Sequence, residues 1–219
     1  MRTYGERCAA ARALDLVGER WALLVVRELL LGPKRFTDLK AGLPNAKPSV
    51  LSQRLRELEQ GSVVRHRKLG PPSGAWVYEL TDYGRELEPI VMALGRWGRR
   101  LPHQPGATHG IDSIVLALNW RFDPERARDL SASYELRLAD DRFQIIVGDG
   151  RIQTQRADAA APDAVIETDP RTLEAVLFDG RDLDDALRSR DLRIEGDRDL
   201  ARRLLGLYSA AEPLAVGTP

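Results

Sequence analysis

Between Lys47 and Leu80 the spacing of apolar residues changes abruptly, and few folds tolerate that change. Leu51, Leu55 and Leu58 stand at i, i+4 and i+7, the buried stripe of a helix spanning 47–60. Pro48 fits its first turn, where a missing N–H costs nothing. Residues 63–69 and 76–80 then read as two short strands around Gly70-Pro-Pro-Ser-Gly74, a loop that proline and glycine keep from pairing.

The flanking segments extend the pattern. Residues 8–17 form a short helix closed by Gly18. Residues 21–31 repeat Trp21, Leu24, Val25 and Leu29 at helical spacing and stop at Gly32-Pro33. Residues 36–43 place Phe36, Leu39 and Leu43 on one face before Pro44. After the hairpin, Thr81 caps one long helix over 82–100, bent at Pro89, with Leu87, Ile90, Val91, Leu94 and Trp97 as its apolar face. Helix, helix, helix, two strands, helix is the order of a winged helix-turn-helix.

Two prolines and two glycines between 101 and 110 interrupt the helical pattern. Beyond them the chain alternates. Helices are expected at 111–119, 170–178, 183–188 and 197–208, and strands at 131–139, 143–149, 152–156, 164–168 and 192–195. Asp149-Gly150 is a hairpin turn signal. The expected class is α+β: a winged-helix domain at 1–101, a linker at 102–110, a second α+β domain at 111–209 and a frayed tail at 210–219.

The formal net charge is zero, but the charge is split. Residues 1–101 carry 18 Lys and Arg against 11 Asp and Glu, and residues 102–219 carry 15 against 22. A +7 half is thus joined to a −7 half, and an excess of cations suits a domain that meets a polyanion. A single cysteine, Cys8, allows no internal disulfide and suits a reducing cytoplasm. The start of the chain lacks the apolar core of a signal peptide, and the apolar run near 21–31, broken by Arg27 and Glu28, is too short to span a bilayer. His66, His103 and His109 sit in no nucleophile or metal motif, and no glycine-rich phosphate loop occurs. No enzyme, cofactor or metal is expected.

The geometry of the 47–60 helix assigns its faces. With the three leucines inward, Ser49, Gln53 and Arg56 point outward and Ser52 lies at the edge. In the major groove, Gln suits adenine and Arg suits guanine. Arg54 lies at the flank, within reach of a phosphate. Arg65, His66, Arg67 and Lys68 make a basic wing, and Arg35 and Thr37 open a helix whose free N–H groups favour a phosphate. The expected partner is double-stranded DNA.

These residues resemble a family. Leu14 to Leu24 with Gly18-Glu-Arg-Trp21 inside it, Arg27-Glu-Leu-Leu30, Gly32-Pro-Lys-Arg-Phe36, Leu51 to Glu59 and Tyr78-Glu-Leu-Thr-Asp-Tyr-Gly84 resemble the HxlR-type transcriptional regulators. The resemblance implies a homodimeric winged-helix repressor or activator, paired through the first and last helices of the domain on a palindromic site. Three departures stand out. Cys8 is followed by Ala9 where redox-sensing members have proline, so packing in a helix is favoured over a redox role for Cys8. Asn45-Ala46-Lys47 replaces Gly-Ile-Ser before the recognition helix; Asn can take a left-handed backbone, so the turn is expected to survive, with Lys47 adding a phosphate contact. Ser62 stands where a glycine precedes the first wing strand, with Gly61 one place earlier, which leaves the wing register open.

Residues 111–208 resemble SCP2-like sterol-carrier domains through Asp149-Gly150, residues 164–170, Leu173, residues 177–182, Ala186 and residues 192–197. That implies a sheet covered by helices around an apolar tunnel, lined by Trp120, Phe122, Phe143, Ile145, Val165, Phe178, Leu187, Leu204 and Tyr208. A regulator could take a small hydrophobic effector there. The alternative is a lipid carrier with a helical interaction domain.

Overall fold

A computed structural model describes residues 3–98, 101 and 109–208. Its contacts gather into two compact units, residues 1–91 and 92–219. The expected linker, apart from its last two residues, residue 209 and the expected tail at 210–219 lie outside the described residues.

The first unit runs α1 (Ala9–Val17), α2 (Ala22–Leu30), α3 (Phe36–Gly42), α4 (Pro48–Gln60), β1 (Val64–Lys68), β2 (Trp76–Leu80) and α5 (Asp82–Arg85). The core forms where α2 meets α4 and the hairpin. Val25, Val26 and Leu29 are buried with Leu39, Leu51, Leu55, Leu58, Val63 and Leu80. Each such leucine contributes roughly 1.5–3 kcal/mol by leaving water.

A buried ion cluster ties these elements. Glu28 on α2 is 1% exposed. It accepts from Lys34 Nζ at 2.7 Å and from Arg27 Nη2 at 2.6 Å. Burial pushes its carboxyl pKa up, but the two cations outweigh it and hold the group below the usual carboxylate range. A Cβ at Gly42 would overlap this carboxylate, so α3 closes over Glu28 only with glycine there. Lys34 also pairs with the backbone of Tyr78, N to O at 2.9 and 2.8 Å, which ties the entry to α3 to the hairpin.

The wing register follows from the end of α4. Val63 N–H bonds to Leu58 O and Ser62 N–H to Glu59 O, the paired bonds of a Schellman cap. The left-handed residue of that cap is Ser62, with φ +58°. Gly61 has an ordinary negative φ and lies close to the end of the Leu16 side chain on α1, which a Cβ there would displace. Serine therefore carries the strain while glycine keeps the close approach, and β1 pairs with β2 from Val64↔Leu80 to Lys68↔Trp76.

The turn before α4 survives as expected, though without a left-handed Asn45: Ala46 N–H bonds to Leu43 O and Ala46 is buried. One expectation fails. The helix expected over 82–100 is two helices, α5 and α6 (Glu88–Gly98), split by a turn at Glu86 and Leu87. Pro89 offers no N–H to Arg85 O and disfavours helix before it, so the chain tightens there, with Leu87 N–H on Gly84 O. On α6 Val91 is buried, whereas Ile90, Leu94 and Trp97 are exposed.

The second unit holds α7 (Ile111–Trp120), β3 (Ala132–Leu138), β4 (Asp141–Gly148), β5 (Arg151–Gln155), β6 (Ala164–Thr168), α8 (Pro170–Phe178), α9 (Leu183–Arg188), β7 (Leu192–Gly196) and α10 (Arg198–Gly206). The sheet order is β5-β4-β3-β6-β7, with β3 and β6 parallel and the other pairs antiparallel. Asp149 and Gly150 both take positive φ, as the hairpin signal requires. One sheet face, with Tyr134, Leu136, Phe143, Ile145 and Ile166, is buried, and the Tyr134 hydroxyl donates to Leu200 O on α10 at 3.2 Å. The opposite face carries Arg137, Gln144, Ile146, Glu167 and Arg193, half-buried or exposed, around the buried Glu135, whose carboxylate accepts the Ala159 N–H. Residues 112–118 of α7 are all buried, Asp112 included, and Arg156 pairs with both Asp112 and Asp141.

Substitution separates the two residues at the end of α4. Ser62→Gly is expected to raise stability by about 0.5 kcal/mol, strain relief being offset by backbone entropy. Gly61→Ala, at an ordinary φ and against the flexible end of Leu16, is expected to change it by less than about 1 kcal/mol. Urea unfolding of the full chain checks both; a loss for Ser62→Gly would show that the left-handed cap is not strained.

Candidate nucleic-acid interface

The packing of α4 decides what it presents. Leu51, Leu55 and Leu58 lie inward, and Ser49, Gln53 and Arg56 are exposed. Ser52 is half-buried at the edge, and Lys47 is exposed at the cap. The three outward groups fall about one turn apart on a single face.

Arg54 departs from its expected place. It is 9% exposed, Nη1 pairs with Glu57, and Nη2 lies 3.9 Å from Glu19. It binds α4 to its own scaffold and is not disposed toward a phosphate. Glu57 also accepts from Gln53 Nε2 at 3.0 Å, so one carboxylate holds the buried arginine and aims the exposed amide. The spacings i+3 and i+4 were visible in the sequence, but not that Arg54 turns inward.

The wing has two different faces. Arg65 and Arg67 share one side, and each donates its Nε to Glu79 Oε1, at 2.5 and 2.6 Å. Their hydrogen bonds, that of Arg67 foremost, hold the Glu79 carboxyl below the usual range against its burial. Both arginine side chains remain exposed despite this pairing. His66 lies on the other side, stacked on Tyr78 at 4.3 Å between ring centroids and close to Trp76 at 4.8 Å. Lys68 is paired opposite Trp76. Burial and then Glu59 push the Tyr78 hydroxyl pKa up while Arg56 opposes them, so this aromatic side shares a field with α4. The four wing residues, read in sequence as one basic surface, are therefore a clamped arginine pair and an aromatic stack. Only Glu79, directly across from Arg65, could have announced the difference.

Arg35 and Thr37 are exposed at the start of α3, where Asp38 Oδ2 accepts the Arg35 N–H at 3.0 Å. Cys8, expected to pack in a dimer-forming helix, is seen here in a single chain. It is an exposed free thiol at the start of α1, and the Ala11 and Ala10 amides hold its pKa below the ordinary thiol value.

The residues expected to line a tunnel do not all gather. Phe143, Ile145, Leu204 and Tyr208 are buried, and Trp120, Phe122 and Phe178 are half-buried. Arg121 lies over the Phe178 ring at 3.9 Å. Val165 pairs with Glu135 and Glu195 on the face opposite Phe143 and cannot share a cavity with it. Leu187 faces a surface groove beside β7. Alternation of a single strand was legible in sequence, but its in–out phase was not. Among the described residues no three His, Cys, Asp or Glu side chains form a metal-holding group, and no helix is long and apolar enough to cross a membrane.

Comparison with known proteins follows the same division. A family model described as HxlR-like helix-turn-helix matches residues 16–104, and one described as SCP-2 sterol transfer family matches residues 117–209. The chain is similar to the HTH-type transcriptional regulator YvaP of Bacillus subtilis, 40% identical over 86 residues, covering 39% of this chain and 80% of that protein. It is also similar to YodB of the same organism, 32% identical over 96 residues, covering 44% of this chain and 85% of that one. A solved structure of reduced YodB is 30% identical, covers 47% of this chain and all of that one, and has a TM-score of 0.39. The chain belongs to the HxlR-like helix-turn-helix family of transcriptional regulators and carries behind that domain one of the SCP-2 sterol transfer type.

Proposed function

We propose that this regulator acts as a homodimeric repressor on a palindromic duplex site. Residues 1–101 bind DNA, 102–110 link, and 111–209 hold a small hydrophobic effector. The observation that carries the DNA half is the orientation of α4: three buried leucines force Ser49, Gln53 and Arg56 outward, where they read base edges. Arg35, Thr37 and Lys47 serve the phosphates beside it, and Arg65 and Arg67, aimed by Glu79, serve the backbone from the wing.

Exposed Leu14, Ile90, Leu94 and Trp97 favour the dimer. So does a groove of about 210 Å3 whose lining includes Leu16, Val17, Leu87 and Ile90, between α1 and the start of α6. The SCP-2-type match favours an effector, as do buried polar atoms with no partner among the described residues: the Tyr208 hydroxyl, the Trp120 indole nitrogen and the Asn119 carbonyl oxygen. Burial pushes the Tyr208 pKa up, so its hydroxyl stays a donor. An effector alters DNA affinity only through different affinities for two dimer geometries.

Fluorescence anisotropy with cognate and random duplex tests the interface. Gln53→Ala and Arg56→Ala are expected to weaken cognate binding by about 1–3 kcal/mol each and to spare random duplex. Arg67→Ala is expected to weaken both alike and to lower the salt slope by about one. Equal losses on both duplexes for all three variants would place the recognition surface elsewhere. Native mass spectrometry of the purified chain reports dimer mass and any retained small molecule; a monomer at micromolar concentration would refute the paired form.

Glu79 gives a separate, pH-dependent expectation. Its carboxyl is held below the unfolded value, so its stabilisation is complete above about pH 4.3 and disappears as pH falls through the folded value. The melting temperature of the wild type should exceed that of Glu79→Gln at pH 7, and the gap should close in acid. A gap unchanged down to pH 2.5 would show that the charge does not hold the arginines.

A further inference from the structure

β7 is an edge of the five-stranded sheet, and beside it a groove of about 560 Å3 opens between α9 and α10. The ladder sets what the strand offers there. Asp197 N–H bonds to Asp163 O at 2.8 Å, in register with Glu195↔Val165 and Arg193↔Glu167. Antiparallel alternation then turns the backbone groups of Leu192 and Ile194 away from β6, toward the free edge. Leu187, Leu192 and Ile194 give the groove an apolar floor.

Its rim is cationic. Arg188, Arg190, Arg193, Arg198 and Arg202 all line it, with Asp184 and Glu195 as the only acids of the lining. Arg202 pairs with Asp184, Arg188 pairs with Asp185, and Glu195 leans to Arg137 at 3.9 Å. Arg190, Arg193 and Arg198 are exposed and make no ion pair among the described residues. The concentration is unusual for its setting. Residues 102–219 have 22 acids, no lysine and 15 arginines, and five of those arginines stand on this one rim. Gathered guanidinium groups repel one another unless an anion lies between them.

Arg190 adds a backbone observation. α9 ends in a Schellman cap, Asp191 N–H on Ala186 O and Arg190 N–H on Leu187 O. The left-handed position of that cap, where glycine is the unstrained choice, is Arg190 at φ +64°. The chain thus accepts local strain and keeps a guanidinium at the groove.

We propose that this groove binds a small amphiphilic anion, with a phosphate or carboxylate head on the unpaired arginines and an apolar portion on Leu187, Leu192 and Ile194. Guanidinium groups suit both heads through bidentate bonds. The volume fits a small molecule. Duplex DNA is disfavoured, because the site is concave and the rest of this half is acidic. The groove lies at the sheet edge: Leu192 and Ile194 belong to the helix-covered face, and Arg193 leaves β7 on the other face and lines the rim at the free edge.

Titration calorimetry of the full chain tests it with decyl phosphate, decanoate, decanol and inorganic phosphate, each below its aggregation threshold. The two amphiphilic anions are expected to bind, with decanol and inorganic phosphate at least about tenfold weaker. Arg190→Gly and Arg193→Gln are each expected to weaken the anions about tenfold. Arg190→Gly should melt no lower than the wild type, since glycine relieves its cap; that separates lost binding from lost folding. Unchanged anion binding in both variants, or no anion binding to the wild type, overturns the site. Decanol binding as tightly as decyl phosphate places the ligand in the interior and also overturns it. So does a preference for an acidic decapeptide or for duplex that the same two substitutions abolish.

Discussion

Everything the first unit offers to a partner depends on three leucines under α4. Once Leu51, Leu55 and Leu58 are committed to α2, the rotation of α4 is fixed, and with it the set of side chains turned to solvent. The scaffold beneath is stiffened by charge as well as by packing. Glu28, closed over by Gly42 and met by Lys34 and Arg27, joins α2, the entry to α3 and, through the Lys34 backbone, the hairpin. A buried carboxylate with two cations adds little net stability. Its value here is geometric, because moving α3 or the hairpin would strand a charge away from water.

Acids also orient the basic surface. Glu57 holds Arg54 and steers Gln53, and Glu79 holds Arg65 and Arg67. A guanidinium fixed by a neighbouring carboxylate gives up part of its charge but arrives with fewer rotamers to lose on binding. The +7 of the first half therefore overstates its bare electrostatic reach.

The order of elements was legible because period and punctuation agree. Leucine spacing, the proline at the start of α4, the glycine-rich wing loop and Asp149-Gly150 each point to one local structure. Competing effects hid the rest. The break between α5 and α6 comes from one missing N–H, weaker as a signal than the apolar repeat running through it. Ser62 and Arg190 occupy positions that glycine usually takes, so composition gave no sign of either cap. Arg54 and Val165 were misplaced for a common reason. Sequence gives the periodicity of a helix or strand, but long-range packing decides the phase of residues at its boundary, as Glu19 does for Arg54 and the β3–β6–β7 pairing does for Val165.

The ion pair between Asp112 and Arg156 bears on biosynthesis. Asp112 opens a helix buried along nearly its whole length, and its counter-charge lies 44 residues further along the chain, after β3, β4 and β5. A nascent chain that has exposed α7 but not yet Arg156 lacks this counter-charge, and burying the Asp112 carboxylate is more costly until it arrives. Premature docking of α7 on whatever apolar surface precedes it on the ribosome is thereby discouraged until the strands that belong against it have been made.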